Sequence, residues 1–397
     1  MHKISLVIGC GVVLSCGAAQ ADDFTVSGFA TLSASRLSTD NAAFRSDSRQ
    51  PNGAGNSWDA APDSKVGVQG SYRFSDKLSA TVTGIAQHNV NNTTSPRIEW
   101  AYLDYHLSPS LEIRAGRLGL PAFLASDYLN VNYTMTAVRG PVEVYSQLPI
   151  SHFDGVDALW RTKAGNVNLT VQPMLGHADF KAAFSDAAGT IASGKADVYG
   201  VNVVGEVGNW TLRAGYIGAK VSIESEPTDQ LIAGLQGMGA GDVANRLAYN
   251  KERSSFSGIG IAYDNGTLIG QSEYTMRRAH SFLADTNAWY VLGGYRLGKF
   301  TPYAIAAQQK AISPTSWSDV PAPMSSFVNG LLAAGNTSQR SLSLGMRWDF
   351  MKNVAAKAQY SRITPDHGSS AGLLMYDASK GPLNAQNLLT FSLDTVF

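Results

Sequence analysis

From Phe24 to Phe397 the apolar residues recur at every second position, not at every third or fourth. Successive side chains of a strand leave on opposite faces, so this period specifies extended chain and leaves no room for a helical core. Near the start, Val26, Gly28, Ala30, Leu32 and Ala34 share one face, opposite Thr25, Ser27, Thr31, Ser33 and Ser35. Later, Leu342, Leu344, Met346, Trp348 and Phe350 oppose Ser341, Ser343, Arg347 and Asp349. At the end, Leu389, Phe391, Leu393 and Phe397 oppose Thr390, Ser392 and Asp394.

Aromatic-rich strand ends lead into very short polar turns. Tyr72-Arg73-Phe74 is followed by Ser75-Asp76-Lys77, Tyr105-His106-Leu107 by Ser108-Pro109-Ser110, and Trp348-Asp349-Phe350 by Met351-Lys352-Asn353. Gly and Asn accept positive φ and Pro presets its own, so such residues reverse the chain within few positions. Seven short turns alternate with eight mostly longer segments, at 37–63, 90–96, 118–153, 178–194, 223–251, 279–285, 311–336 and 364–386. The pattern predicts sixteen strands, near 24–36, 64–74, 78–89, 97–107, 110–117, 154–163, 167–177, 195–207, 210–222, 252–263, 267–278, 286–297, 299–310, 337–350, 354–363 and 387–397. Both ends of this array then fall on the short-turn side.

Alternation alone does not separate a soluble sandwich or propeller from a membrane barrel, which carries the same pattern inside out. Three further features decide for the barrel. Strands of about 10–13 residues match a tilted membrane crossing and exceed the five or six usual in soluble strands. An even strand count with short and long loops in alternation is the outer-membrane pattern, and the aromatics beside the short turns suit an interfacial girdle. In lipid every backbone group must be paired, so the sheet has to close on itself. The fold class expected is all-β, a 16-stranded antiparallel transmembrane β-barrel with its long third loop folded into the lumen.

Composition agrees. Charged residues are 16% of the 397 and the formal net charge is zero, which offers no basic field to nucleic acid. The only long apolar run is Ile4–Ala19. With Met1-His2-Lys3 before it and Ala19-Gln20-Ala21 after, it has the layout of a secretory signal peptide (1–21) ahead of one domain, 22–397. Cys10 and Cys16 both fall in the segment to be removed. A rival reading, a lipoprotein acylated at Cys16, meets a poor cleavage box with Leu14 before Ser15. The exported 376 residues are expected to lack any disulfide, thiolate nucleophile or Cys metal site.

The chain resembles the 16-stranded porins of Gram-negative outer membranes. The architecture carries the likeness over the whole exported chain. In detail, Arg97-Ile98-Glu99-Trp100-Ala101-Tyr102-Leu103 and Leu111-Glu112-Ile113-Arg114-Ala115-Gly116-Arg117 resemble the strand 4–turn–strand 5 unit that precedes the porins' long third loop. Leu389-Thr390-Phe391-Ser392-Leu393-Asp394-Thr395-Val396-Phe397 is similar to the family's terminal strand. The resemblance implies an integral outer-membrane homotrimer of water-filled pores set in lipid, each narrowed by loop three, with Phe397 as the signal read by the barrel assembly machinery. Two departures are visible. Loop three lacks the Pro-Glu-Phe-Gly-Gly turn of well-known general porins, and loop two, Val90–Pro96, is short where a long one often latches neighbouring subunits.

No catalytic centre is expected, and no cofactor or metal. His88, His106, His152, His177, His280 and His367 are scattered without ligand spacing, and neither Ser151-His152 nor His280-Ser281 comes with a nucleophile elbow. No loop has the spaced acids of a calcium loop, and Gly234–Gly241 lacks a phosphate-loop Lys and reads as flexible loop. The expected function is passive diffusion of small hydrophilic solutes and ions. The alternatives are a substrate-specific channel, or an adhesin, receptor or structural barrel with a closed lumen. A 22-stranded transporter with a plug needs more chain than this.

Loop three mixes Leu120, Phe123, Leu124, Leu129 and Val131 with Asp127, Arg139 and Glu143, a composition suited to packing inside a lumen. Alternation turns eleven strand cations and seven acids inward; with loop three and its edges the sum is near +3, in an exported chain of net −1. The pore-lining and constriction residues expected are Arg97, Glu99, Arg114, Arg117, Asp127, Arg139, Glu143, Arg213, Arg277 and Lys357. Arg97, Arg114 and Arg117 are the expected basic ladder opposite Asp127 and Glu143, giving a weak anion preference that falls when Arg97 and Arg114 are neutralised. The same alternation points Asp104 at lipid, which calls for a β-bulge in strand 4.

Overall fold

In the computed structural model each long strand pairs antiparallel with its sequence neighbours, and the last closes on the first. The structure describes residues 23–185, 189–366, 368, 369 and 371–397. The expected signal segment with Cys10 and Cys16, and also His367, lie outside the described residues. The barrel strands are β1 (Phe24–Leu37), β2 (Lys65–Ser75), β3 (Leu78–Gln87), β4 (Arg97–Ser108), β5 (Leu111–Gly119), β6 (His152–Ala164), β7 (Val167–Ala183) and β8 (Ile191–Val207). They continue as β9 (Trp210–Glu224), β10 (Tyr249–Asp264), β11 (Leu268–Arg278), β12 (Thr286–Tyr295), β13 (Phe300–Ala311), β14 (Gln339–Met351), β15 (Val354–Pro365) and β16 (Gln386–Val396).

Alternation becomes two surfaces. Outward residues are large, apolar and exposed, as a lipid-facing band requires: Leu32 is 66% exposed, Leu175 62% and Ile259 62%. Inward neighbours are small and polar, and their hydroxyls meet across strands, Ser35 with Thr390 at 2.9 Å and Ser343 with Ser361 at 2.7 Å. At the short-turn end the outward aromatics gather into a girdle, in which Trp210 lies 4.6 Å from Tyr263 and Phe300 stacks 5.8 Å from Trp348.

Closure joins the two ends of the array. β1 and β16 are paired from Phe29 opposite Val396 to Leu37 opposite Leu388. The Gly28 N–H donates to the Phe397 carbonyl at 2.7 Å, and the Phe397 N–H returns a bond to Gly28 at 2.9 Å. The Phe397 ring lies over Gly28, where a Cβ would come within 2.4 Å of it.

Two segments differ from the sequence reading. The loop expected at 178–194 is mostly strand, because β7 runs on to Ala183 and β8 begins at Ile191. Outward residues here are Asp179, Lys181 and Lys195 above the apolar band, so the amphipathic signal that marks the other strands is missing. Gly234–Gly241, read as flexible loop, instead spans the last turn of a helix and the start of another. Loop three holds α1 (Val142–Tyr145), loop five holds α2 (Glu226–Gly237) and α3 (Gly241–Leu247), and loop seven holds α4 (Ala322–Ala334). Pro227 in the first turn of α2, with Glu226 and Asp229 there to complement its dipole, is a helix-start signal that strand periodicity obscured. Leu235, Val243, Leu247, Val328 and Leu332 are buried in the same apolar cluster as loop three.

Candidate functional site

Loop three leaves β5 at Gly119, returns to β6 at His152, and between them turns into the barrel. Its Leu120, Ala122, Phe123, Ala137 and Val144 are buried among the inward wall residues Phe153, Met174, Phe256, Tyr290 and Ile305. Phe123 lies 4.8 Å from Tyr145 and 5.3 Å from Phe256. Burying each large apolar side chain contributes about 1.5–3 kcal/mol, enough to hold an otherwise irregular segment against the wall.

Four wall cations grip the loop by its backbone. Arg213 of β9 donates to the Pro121 carbonyl, and Arg277 of β11 to that of Gln147 at 2.9 Å. Arg347 of β14 donates to Tyr133 and Met135 at 2.6 and 2.9 Å, and Lys357 of β15 to Asn132 and Ala137 at 2.6 and 3.0 Å. These carbonyls have no sheet partner, and leaving them buried and unpaired would cost about 1–3 kcal/mol each. One wall acid works in the opposite sense: Glu273 accepts from the Leu124 N–H at 2.7 Å and the Tyr145 hydroxyl at 2.6 Å. Arg139 reaches the other side of the barrel, donating to Asp63 at 2.7 Å and to Thr390 at 2.9 Å.

The free basic ladder expected of Arg97, Arg114 and Arg117 is therefore corrected. Arg97 donates to Glu99 at 3.0 Å, and Glu99 is fully buried. Arg114 is held by two bonds to the buried Asp157 and lies 5.5 Å over the Tyr102 ring. Arg117 faces outward: its chain neighbour Leu118 and the Phe153 opposite it fill the inner core, and it pairs with Asp154 at 2.8 and 2.9 Å on the outer wall. Glu143, expected in the pore, is turned into the wall, where its carboxylate accepts from Gln339 at 2.8 Å. Burial raises the Glu143 pKa despite that bond and one from Ser341. Arg213, Arg277 and Lys357 are engaged with the loop backbone. Asp127 alone among the expected acids stays exposed without an ion pair among the described residues. In β4 the register shifts where Thr83 faces Trp100 and Gly84 faces Ile98, so Glu99 is the extra residue. Past that bulge Asp104 points inward, accepting from Ser79 at 2.6 Å.

A family model described as Gram-negative porin matches residues 9–368. The chain belongs to the Gram-negative porins. No curated protein matches it in sequence. Its structure is similar to that of outer-membrane expressed OmpT of Vibrio cholerae, with a TM-score of 0.56 and 12% identity over 96% of this chain and 100% of the other. It is also similar to the outer membrane channel DcaP of Acinetobacter baumannii, at 0.56 and 12% over 94% and 97%. An anion-selective porin from Comamonas acidovorans gives 0.54 and 11% over 94% and 99%. At such identities the likeness is one of fold, and it places this porin among outer-membrane barrels.

Two cavities inside this porin border β1–β4. A chamber of about 80 Å³ is lined by Asp47, Arg49, Asp63, Lys65, Asn132 and Arg139. A wider one of about 440 Å³, toward the short-turn end, is lined by Gln69, Thr83, Trp100, Asp127 and Val131, and Asn130 borders both. Loop one, the segment at 37–63, supplies Asp47 and Arg49, joined at 2.9 Å. Burial pushes the Asp47 carboxyl up, but the adjoining Arg49 outweighs it and holds the pKa well below the usual carboxylate range. Three charges among the six residues Arg45–Gln50 were the available signal for this inward turn. Lys65 donates to the Asn132 side chain at 3.2 Å and forms no ion pair among the described residues.

Proposed function

We propose that this porin is a passive diffusion channel for small hydrophilic solutes and ions, weakly selective for anions, that works as a homotrimer in outer-membrane lipid and performs no enzymatic step. The carrying observation is the charge of the narrower chamber. Arg49, Lys65 and Arg139 stand against Asp47 and Asp63, and Lys65 is the cation left unpaired. Screening falls off over about 8–10 Å at physiological salt, so charges at the narrowest point dominate selection. Asp127 borders only the wider chamber and acts weakly.

The test is the reversal potential of single channels in a potassium chloride gradient. The unmodified channel should give the sign of anion preference, Lys65→Gln should move it toward zero, and Arg114→Gln should leave it in place. A cationic sign in the unmodified protein would overturn the selectivity, and a barrel that inserts without conducting would be the closed-lumen alternative.

A further inference from the structure

The outer wall carries a row of charge that the pore does not use. Arg117, Asp154, His177, Asp197, Lys220 and Arg253 are register partners, each opposite the next across six adjacent strands from β5 to β10. Their direction is set by the chain neighbours Phe153, Ala178, Ala196 and Val221, which are buried in the inner cluster. The next outward row toward the short turns runs through the exposed Val156, Leu175 and Tyr199 and, beneath Lys220 and Arg253, through Gly218 and Ser255, with the Tyr199 ring over Gly218. The charged row therefore begins where the lipid-facing band ends.

Depth agrees for its far end. Lys220 stands ten residues along β9 from the girdle residue Trp210, and Arg253 ten along β10 from Tyr263. At about 3.3 Å per residue and about 40° of tilt, that spans roughly 25 Å, the height of the apolar band of such barrels. Both residues thus sit at headgroup level on the long-loop side.

Arg117 is ion-paired within the row, whereas Lys220 stands between Asp197 of β8 and Arg253 of β10. Arg117 is held by Asp154, and His177 lies 3.0 Å from Asp197. Lys220 and Arg253 are exposed, directly opposite each other, and without an ion pair among the described residues. Like charges in direct cross-strand register destabilise a sheet unless an anion lies between them. We propose that Lys220 and Arg253 clamp the phosphate of an anionic lipid headgroup in the outer leaflet. The two cations stand side by side on adjacent strands, so one phosphate can accept charge-assisted bonds from both, and the acyl chains would run down past Gly218 and the Tyr199 ring that lies over it.

The test uses the folded barrel in phosphatidylcholine nanodiscs containing phosphatidic acid as the probe, with bound lipid counted by native mass spectrometry. The unmodified protein should retain phosphatidic acid selectively, and the K220Q/R253Q variant should hold it roughly 30-fold more weakly. K220R should retain it, as should K77Q, placed at a short turn on the opposite side. Single-channel conductance of the double variant should be unchanged, which verifies its fold, and each single variant should show a partial loss. Equal retention by the double variant and the unmodified protein overturns the proposal. Displacement of the lipid by an equal concentration of inorganic phosphate also overturns it, since the site would then serve free phosphate.

Discussion

Lys357 and Asp394 stand 3.0 Å apart on adjacent strands, and neither side chain is exposed to solvent. The lysine spends its other donors on carbonyls of loop three, so one ammonium ties the barrel wall, a buried acid and the loop together. Replacing Lys357 by Met leaves Asp394 with only the Thr31 and Ser392 hydroxyls. Breaking a buried pair on one side costs about 3–5 kcal/mol. The thermal midpoint in detergent should fall, and K357M/D394L should recover part of the loss. An unchanged midpoint for Lys357→Met would show that the pair is solvated.

Glu143 should make stability depend on pH in the sense opposite to an ion-paired acid. Burial raises its folded pKa above the unfolded value, so the folded state binds a proton more readily. Its stabilising contribution is complete at acid pH and is lost as pH rises through the ordinary carboxyl value toward the raised one. Glu143→Gln, which keeps an acceptor for Gln339, should raise the thermal midpoint at neutral pH and leave it unaltered in acid. Parallel midpoints for both proteins at every pH would refute this.

Removal of Asp127–Glu143 should enlarge single-channel conductance markedly. It should also lower the thermal midpoint, because Arg347 and Lys357 lose their carbonyl partners. Unchanged conductance in correctly assembled trimers would mean that loop three does not bound the conducting path.

Gly116 has a φ of +132°, and a Cβ there would lie 2.4 Å from the Ala101 carbonyl oxygen of the neighbouring strand. Gly116→Ala should cost on the order of 1–3 kcal/mol and reduce the yield of heat-resistant barrel on gels. Gly237→Ala, on a helix with open space around it, is the control and should assemble normally.

Strand positions were legible because each lipid-facing residue has no choice but to be apolar, so the period survives in residues such as Leu342, Leu344 and Met346. The signal stops where the wall rises above lipid, and the upper ends of β7 and β8 were lost with it. Loop three's apolar residues announced that it packs inside. Nothing in the sequence distinguished an arginine facing ions from one facing a carbonyl: Arg213, Arg277 and Arg114 occupy similar inward positions, and only the folded loop and Asp157 assign their roles. Arg117 was misplaced for a local reason. It was grouped with the loop it precedes, although strict alternation from Arg114 already turns it outward. Lys65, which borders the same chamber as Asp47 and Asp63, is absent from the pore-lining residues expected from the sequence.

The bonds that Arg213, Arg277, Arg347, Lys357 and Glu273 make to loop three include seven that end on its carbonyls and amide hydrogens, atoms that every residue type supplies. Among the loop-three side chains that border the two chambers, Leu129 and Val131 are apolar and make no hydrogen bond in that fastening, and Asn130 makes one bond, to Glu99 at 3.4 Å. Change at these positions alters what a passing solute meets without loosening the segment that presents them. Attachment and permeability can thus drift independently, and a chain of this kind can acquire a new diet through a few substitutions at the chamber's edge while its frame stays as it is.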